Sequence, residues 1–478
     1  MPSTFFGIEI GTRALMTNQL ALQVVGQNTA NVNTEGYSRQ VVQFDQTDPY
    51  TLPDYPHAQP GMLGTGVTIA AINRIRDAFI DRRVFAANSW QGAIGNLRDI
   101  LGRVEEAYNE PSDTGIGQLM TNLFNSFADL SANPESEAIR STVRNNAETL
   151  IAAIRSVDAA MTQINPEIQA KIAVKVGDVN SLAGQIAELN KQIRLSIAAG
   201  DHPNDLLDKR GVLLNTLSGL VDIQVTESSN PATGKPTGEV QINVGGYALV
   251  QGDTANALPT TMTTANGNLG LVTAEGNTIP LRGGELYGLV KATTLLASYH
   301  DDLNTLVGNL ITAVNTQHSL GVGLDGVTGR PFFIGTDAAS INLNPVIKSD
   351  LNVIAAAAAP TPPTPFATGN GDNARALAAL TSRPVIAGFS LSEFYNSSVG
   401  RVGADSRSFI AEADNQDKVV NQLKNQQQAV SGVSLDEELT HMLQYQRSYQ
   451  AATRIINVMD DVLNRIINGL GAGSAVGG

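Results

Sequence analysis

Catalysis requires nucleophiles, acid–base pairs or metal ligands that converge, and this chain of 478 residues offers few candidates. It contains no cysteine, which excludes disulfides, thiolate nucleophiles, Cys-ligated zinc and iron–sulfur clusters. The five histidines, His57, His202, His300, His318 and His441, show neither H-x-x-H nor H-E-x-x-H spacing and read as solvated or capping side chains. No G-x-S-x-G elbow or G-x-x-x-x-G-K-[ST] loop occurs. Gly321-Val322-Gly323-Leu324-Asp325-Gly326 fits G-x-G-x-x-G, but it follows a helical pattern rather than a strand and reads as a turn cluster. Glu105-Glu106, Asp301-Asp302, Glu437-Glu438 and Asp460-Asp461 are adjacent in helical segments, where neighbours point to different faces. They read as solvated helix surface. The sequence therefore points to no catalytic residue, cofactor or metal, and the expectation is a protein that is not an enzyme.

Charge narrows the partners. Lys and Arg total 31 against 45 Asp and Glu, a net charge of −14, and the basic residues are scattered, which argues against nucleic acid and membranes as partners. Residues 1–23 interleave Glu9, Thr12, Arg13, Asn18 and Gln19 with apolar positions, the pattern of an amphipathic helix rather than a cleavable signal. The longest apolar run, residues 353–359, is far short of the roughly 18 a membrane-spanning helix needs. Export would have to use another route.

The elements that position these residues are mostly helical. Ile8, Leu15 and Leu22, with Ala14, Ala21 and Val25, form a stripe over 8–31. Residues 38–44 read as a strand and 48–66 as an extended connection. Helices fill about 78–221. Asn133-Pro134-Glu135 and Asn165-Pro166-Glu167 each resemble a cap followed by an N1 proline, predicting two helices over about 134–164 and 167–199. Gly200-Asp201-His202-Pro203 turns into a helix over 204–220. Two apolar runs across Gly245-Gly246 predict a hairpin within a β module at 222–284. A helix resumes over 285–318. Residues 355–365, rich in Ala, Pro and Thr, read as a linker or exposed loop, and a further helix is expected over 405–430. Ser434-Leu435-Asp436-Glu437 fits a capping box. The last helix repeats apolar residues every seven positions, at Leu435, Met442, Tyr449, Ile456, Leu463 and Leu470, thickened by Ala452, Ile455, Met459, Val462, Ile466 and Ile467. Burial of that stripe does not outweigh the ordering entropy of the helix by itself, so it requires a partner, either the N-terminal stripe or another subunit.

Both ends carry specific signatures. Val25-Gly26-Gln27-Asn28-Thr29-Ala30-Asn31-Val32-Asn33-Thr34-Glu35-Gly36-Tyr37-Ser38-Arg39-Gln40 resembles the N-terminal signature of axial proteins of the bacterial flagellum. Ser434 to Glu438 with Tyr445-Gln446-Arg447-Ser448-Tyr449 resembles the matching C-terminal one. Between them, Asp205-Leu206-Leu207-Asp208-Lys209-Arg210, Leu281-Arg282-Gly283-Gly284-Glu285-Leu286, Val314-Asn315-Thr316-Gln317-His318 and Pro331-Phe332-Phe333 resemble the flagellar hook-associated protein 1 family, the hook–filament junction proteins.

The resemblance implies a structural subunit of the flagellum at the hook–filament junction, secreted by type III export, required for assembly and hence motility. The implied partners are further copies in a ring oligomer, the hook protein, the second hook–filament junction protein and a cytoplasmic export chaperone that engages the C-terminal region. It also implies that the termini pair as a coiled coil and are disordered before assembly. The assembly residues are then Ile8, Leu15, Leu22, Val25, Asn28, Asn31, Asn33, Gly36 and Tyr37 in one arm. In the other they are Leu435, Met442, Tyr445, Gln446, Tyr449, Ile456, Met459, Leu463, Ile466 and Leu470. The short β segment departs from the family and implies a reduced outer domain. Two other readings are a hook or rod subunit, or a secreted helical effector that binds a host protein.

The expected fold is mainly α with an inserted β module: terminal helices paired as a coiled coil, a helical bundle in the middle and a small β domain. The expected units are 1–60 with 433–478; 61–221 with 285–330 and 401–432; 222–284; and an irregular segment, 331–400, with an Ala/Pro-rich linker.

Overall fold

The computed structural model describes residues 5–49, 64–264, 269–359 and 367–471. The first helix, α1 (Phe6–Ala30), leads through turns into the antiparallel ribbon β1 (Gln40–Gln46) and β2 (Val67–Arg74). Four helices follow: α2 (Ala78–Tyr108), α3 (Ile116–Ala132), α4 (Glu137–Ala199) and α5 (Asn204–Leu220). The β module contains one antiparallel sheet of β3 (Gln224–Ser229), β4 (Pro236–Val244), β5 (Tyr247–Gln251) and β6 (Thr254–Ala255), in that order. A second holds β7 (Met262–Thr263), β8 (Gly270–Val272) and β9 (Thr278–Pro280). The helix α6 (Gly284–Ser319) returns the chain to the bundle. Short pieces then connect to the long α9 (Leu391–Ser431) and α10 (Leu435–Gly471): β10 (Gly321–Val322), β11 (Phe333–Ile334), β12 (Asn342–Leu343), α7 (Pro345–Ser349), β13 (Ala357–Ala358) and α8 (Asp372–Ala378). Among the described residues no helix is long and apolar enough to cross a membrane.

The predicted break at Pro166 is absent, and one helix of 63 residues runs through it. Proline inside a helix costs about 3 kcal/mol, but Met161, Ile164, Ile168, Ile172 and Val176 form a buried stripe on both sides of it, and packing that stripe outweighs the local defect. Asn133 does not cap α4 either. It closes α3 and opens a turn, and the Ser136 side chain accepts from Ile139 N as the true cap. The helix ends where expected, at Gly200, whose φ of +94° lets Gly200 N and Asp201 N bond back to Ile197 and Ser196 carbonyls.

The β hairpin forms across Gly245-Gly246, both with positive φ. Its inner residues Val240, Ile242, Val244 and Leu249 join the apolar core of the helices. Asn190 of α4, fully buried, donates to Val240 O at 2.9 Å and accepts from Val240 N at 3.2 Å, so the sheet is pinned to the helix.

The middle segment is less irregular than its composition suggests. Ala355, Ala356 and Ala357 are core residues, not linker, and β13 pairs with β10; the rest of that stretch, 360–366, lies outside the described residues. Buried Arg140 holds the carbonyls of Pro134, Leu351 and Ile354, and Asn315 clamps Phe332 N, Phe333 N and Phe333 O. The helix expected from 405 begins at Leu391. Gly400 and Gly403 weaken its propensity, but a complete capping box of Ser390 and Glu393 starts it, and Leu391, Tyr395 and Val402 anchor it in the core.

His318 is neither solvated nor capping. It is fully buried, Nδ1 lies 2.8 Å from Arg330 O, and Nε2 accepts from Ala355 N at 2.9 Å. His300 pairs with Asp158 at 2.7 Å, His441 stacks on Tyr445, His202 is exposed, and His57 lies outside the described residues. Burial, with Arg140 and Arg330 nearby, outweighs the bond to Arg330 O and pushes the His318 pKa down to about 4. Because the folded value lies below the ordinary 6.5, its contribution to stability is complete above that pH, falls as pH drops, and levels off near 4. Urea titrations from pH 7 to 4 should show roughly 3 kcal/mol more loss in the native chain than in His318→Gln; parallel pH profiles would contradict this.

Candidate assembly site

Most of the residues assigned to the two arms meet in one antiparallel unit, in which α1 packs on both α10 and the β1–β2 ribbon and Tyr445 of α10 reaches Phe44 of the ribbon, ring centroids 5.9 Å apart. A Cβ on Gly7 would sit 2.7 Å from Met459 Cε, and one on Gly11 2.7 Å from Ile456 Cγ1, so these glycines form a notch that admits α10. At the other end Asn28 reaches Glu438 at 3.0 Å, which fixes the antiparallel register. Along α10 the less exposed positions include Glu438, Met442, Tyr445, Tyr449, Ala452, Ile456, Met459 and Leu463, a 4–3 alternation flanked by half-buried His441 and Thr453. Ile8, Leu15 and Leu22 are half-buried in α1, and Val25 and Asn28 are buried. Leu435 (48% exposed) and Ile466 (41%) lie outside this seam, as does Gln446, and the side chain of Leu470 is outside the described residues. Ile455, Val462 and Ile467 do not thicken the seam; they project to solvent.

A polar knot closes the unit. The Asn28 amide donates to Gln40 O (2.9 Å) and Glu438 Oε2 (3.0 Å), and accepts from Gln40 N (3.0 Å) and Tyr37 Oη (2.8 Å). All four of its bonds are made, as a buried amide requires. Glu438, 1% exposed, also accepts from Arg39 Nε at 2.8 Å, and Arg39 Nη1 donates to Glu437. Glu438 is thus not solvated helix surface, whereas Glu437 remains 58% exposed and is reached by the same guanidinium. Burial, followed by the charges of Asp205, Asp208 and Glu438, pushes the Tyr37 hydroxyl up to about 12, so it remains a donor to Asn28.

The turn over 31–37 carries Asn31 half-buried, Asn33 exposed and Gly36 at φ +79°. The helix itself stops at Ala30; Gly36 serves the later turn, where a Cβ would lie 2.1 Å from Val212 Cγ2. From there Ser38 enters α5. Asp208 accepts from Ser38 N (3.0 Å), Ser38 Oγ (2.7 Å) and Arg74 Nη1 (3.1 Å), while Asp205 accepts from Gln40 Nε2 (3.3 Å). Arg210, on the same helix, donates to Asn190 Oδ1 and Gly238 O of the β module.

Sequence reasoning missed Gly7, Gly11, Arg39, Glu438 and Asp208 as site residues. The signal for the first two was a Gly-x-x-x-Gly step on a helical stripe; for the others it was opposite charge within quoted signatures. Among the described residues, no group of three or more His, Cys, Asp or Glu side chains converges as a metal site.

The family model for the flagellar hook-associated protein FlgK helical domain matches residues 101–333. Models for the flagella basal body rod protein and the C-terminal region of the flagellar basal body rod FlgEFG proteins match 8–37 and 426–469, the spans of the two arms. Flagellar hook-associated protein 1 of Bacillus subtilis (strain 168) is 30% identical over 505 aligned positions, taking in 99% of this chain and 100% of the relative. The chain belongs to the flagellar hook-associated protein 1 family. It is a structural subunit of the bacterial flagellum at the junction of hook and filament. The Salmonella typhimurium member of the flagellar hook-associated protein 1 family is 26% identical, with 94% of this chain and 97% of the relative covered. That alignment spans 553 positions, so the relative carries insertions this 478-residue chain lacks. The structure of the flagellar hook junction protein FlgK from Burkholderia pseudomallei has the same fold, with a TM-score of 0.62 at 17% identity, covering 73% of this chain and 100% of that one.

Breaking the knot should loosen α10 selectively. Glu438→Ala removes the acceptor of Arg39 Nε and of one Asn28 N–H, leaving Arg39 only the exposed Glu437, and is expected to cost the arm about 1–3 kcal/mol, measured by amide exchange along α10. Adding Arg39→Met should restore part of that loss, because it removes the stranded charge. Strictly additive losses would contradict the pairing.

Proposed function

We propose that the α1–α10 unit is the surface by which each subunit is built into the flagellum. In this reading it packs against further copies in a ring, with the hook protein on one side and the second hook–filament junction protein on the other. The supporting observation is that pairing the arms leaves apolar side chains facing outward. Met16 (64% exposed) on α1 and Leu439 (54%), Leu443 (58%), Val458 (58%) and Ile467 (63%) on α10 have water as their neighbour in the isolated chain. Apolar faces of this extent on paired helices call for further helices. The protein works without catalysis, through contacts alone.

The assembly residues named above act as one unit, 1–60 with 433–478, to which the pairing of β2 with β1 adds 64–74; it is set on a helical middle unit, 78–221 with 285–330 and 401–432. The β module at 222–284 and the mixed segment 331–400 lie apart from that contact. Before export, the stripe over 449–470 is the contact for a cytoplasmic chaperone, which shields it from premature association.

Deleting 435–478 should abolish incorporation into flagella and leave cells non-motile, while circular dichroism and melting of the purified remainder show a folded bundle. Normal filaments built on the truncated subunit would overturn the proposal.

A further inference from the structure

The terminal unit and the body have separate apolar cores. Ala21, Val24 and Val42, with Ile69, Ile72 and Tyr445, form one cluster, and the bundle residues form others. Substantial packing between elements falls on one side or the other. Two covalent links cross the seam, 75–77 between β2 and α2 and 432–434 between α9 and α10.

The side chains that bridge the seam are polar, and most of them end on α5. Asp208, 6% exposed, takes three donors from Ser38 and Arg74. Asp205 takes Gln40, and Asn204 Nδ2 donates to Ile72 O at 2.7 Å. A backbone bond from Arg39 N to Ser431 O (2.8 Å) completes the join. On the opposite side of α5, Arg210 is fastened to Asn190 and Gly238, so the helix belongs to the body. Beside the seam lies an open cleft of about 1060 Å³, lined by the 31–37 turns, Asn88, Asn215, Lys424 and Gln428. A small polar interface between two independent cores, next to empty space, permits relative motion of the two units.

We propose that Asp208 is the pin of a hinge. Its carboxylate sets the angle of the terminal unit on α5, and when it releases Ser38 and Arg74 the unit swings into the cleft as a rigid body with both cores intact. Identical subunits can then meet neighbours at unequal angles without repacking.

The absence of cysteine allows a direct test on the full chain. Thr68→Cys on β2 and Lys191→Cys on α4, both exposed sites, are spin-labelled and their distance distribution is measured by pulsed dipolar spectroscopy. The native chain should give one narrow distance. Asp208→Ala and Arg74→Met should each broaden it or add a second distance, with the melting temperature of the body unchanged. A broad distribution in the native chain, or an unchanged narrow one in both variants, would overturn the hinge; if Asp208→Ala fails to fold, Arg74→Met alone decides.

Discussion

The chain is closed by contacts between residues about 400 positions apart: Asn28 and Arg39 on one end, Glu438 on the other. Three buried or half-buried polar side chains satisfy one another there. A slip along the helices would strand a charge in a desolvated site, so the knot specifies register while the Gly7–Gly11 notch supplies the close approach. Chain ends otherwise fray for lack of such ties. The terminal unit has a small core of its own, and its order depends on these two features.

The body depends on the knot much less. Its core runs from α2 through α4 and α6 into the β module and α9, continuous across elements that are distant in sequence. Family membership and architecture agree at this level: the helical-domain match falls on the body, and the rod-type matches fall on the arms. A terminal unit that matches rod-protein models is thus joined, through α5, to a body that matches the FlgK helical-domain model.

The sequence was legible where local chemistry and tertiary packing agree. The amphipathic α1 and α10, the Gly245-Gly246 hairpin and the Gly200 stop are set by periodicity and turn residues. It misled where packing overrides local preference. Pro166 carries a helix-start signal that a long buried stripe cancels. Ala355–357 looks like low-complexity linker, yet His318, Asn373 and β10 hold it in the core. The capping box of Ser390 and Glu393 starts α9 within the segment expected to be irregular. At the site, Glu438 looked like solvated surface, as the neighbouring Glu437 is, because its partner, Arg39, is close only in space. The heptad identified the arm and its face, but not its limits: Leu435 and Ile466 continue the 4–3 alternation past Glu438 and Leu463, and both are exposed.

The central claim is that the two ends of one chain pair antiparallel in this register when the subunit is in place. It is tested most directly by cysteines at Gly11 and Ile456, introduced into the cysteine-free chain and oxidised in intact flagella. The register predicts a disulfide within single subunits, with filaments still assembled. Crosslinks only between subunits, or formation only when the second cysteine is moved a heptad to Leu463, would contradict it.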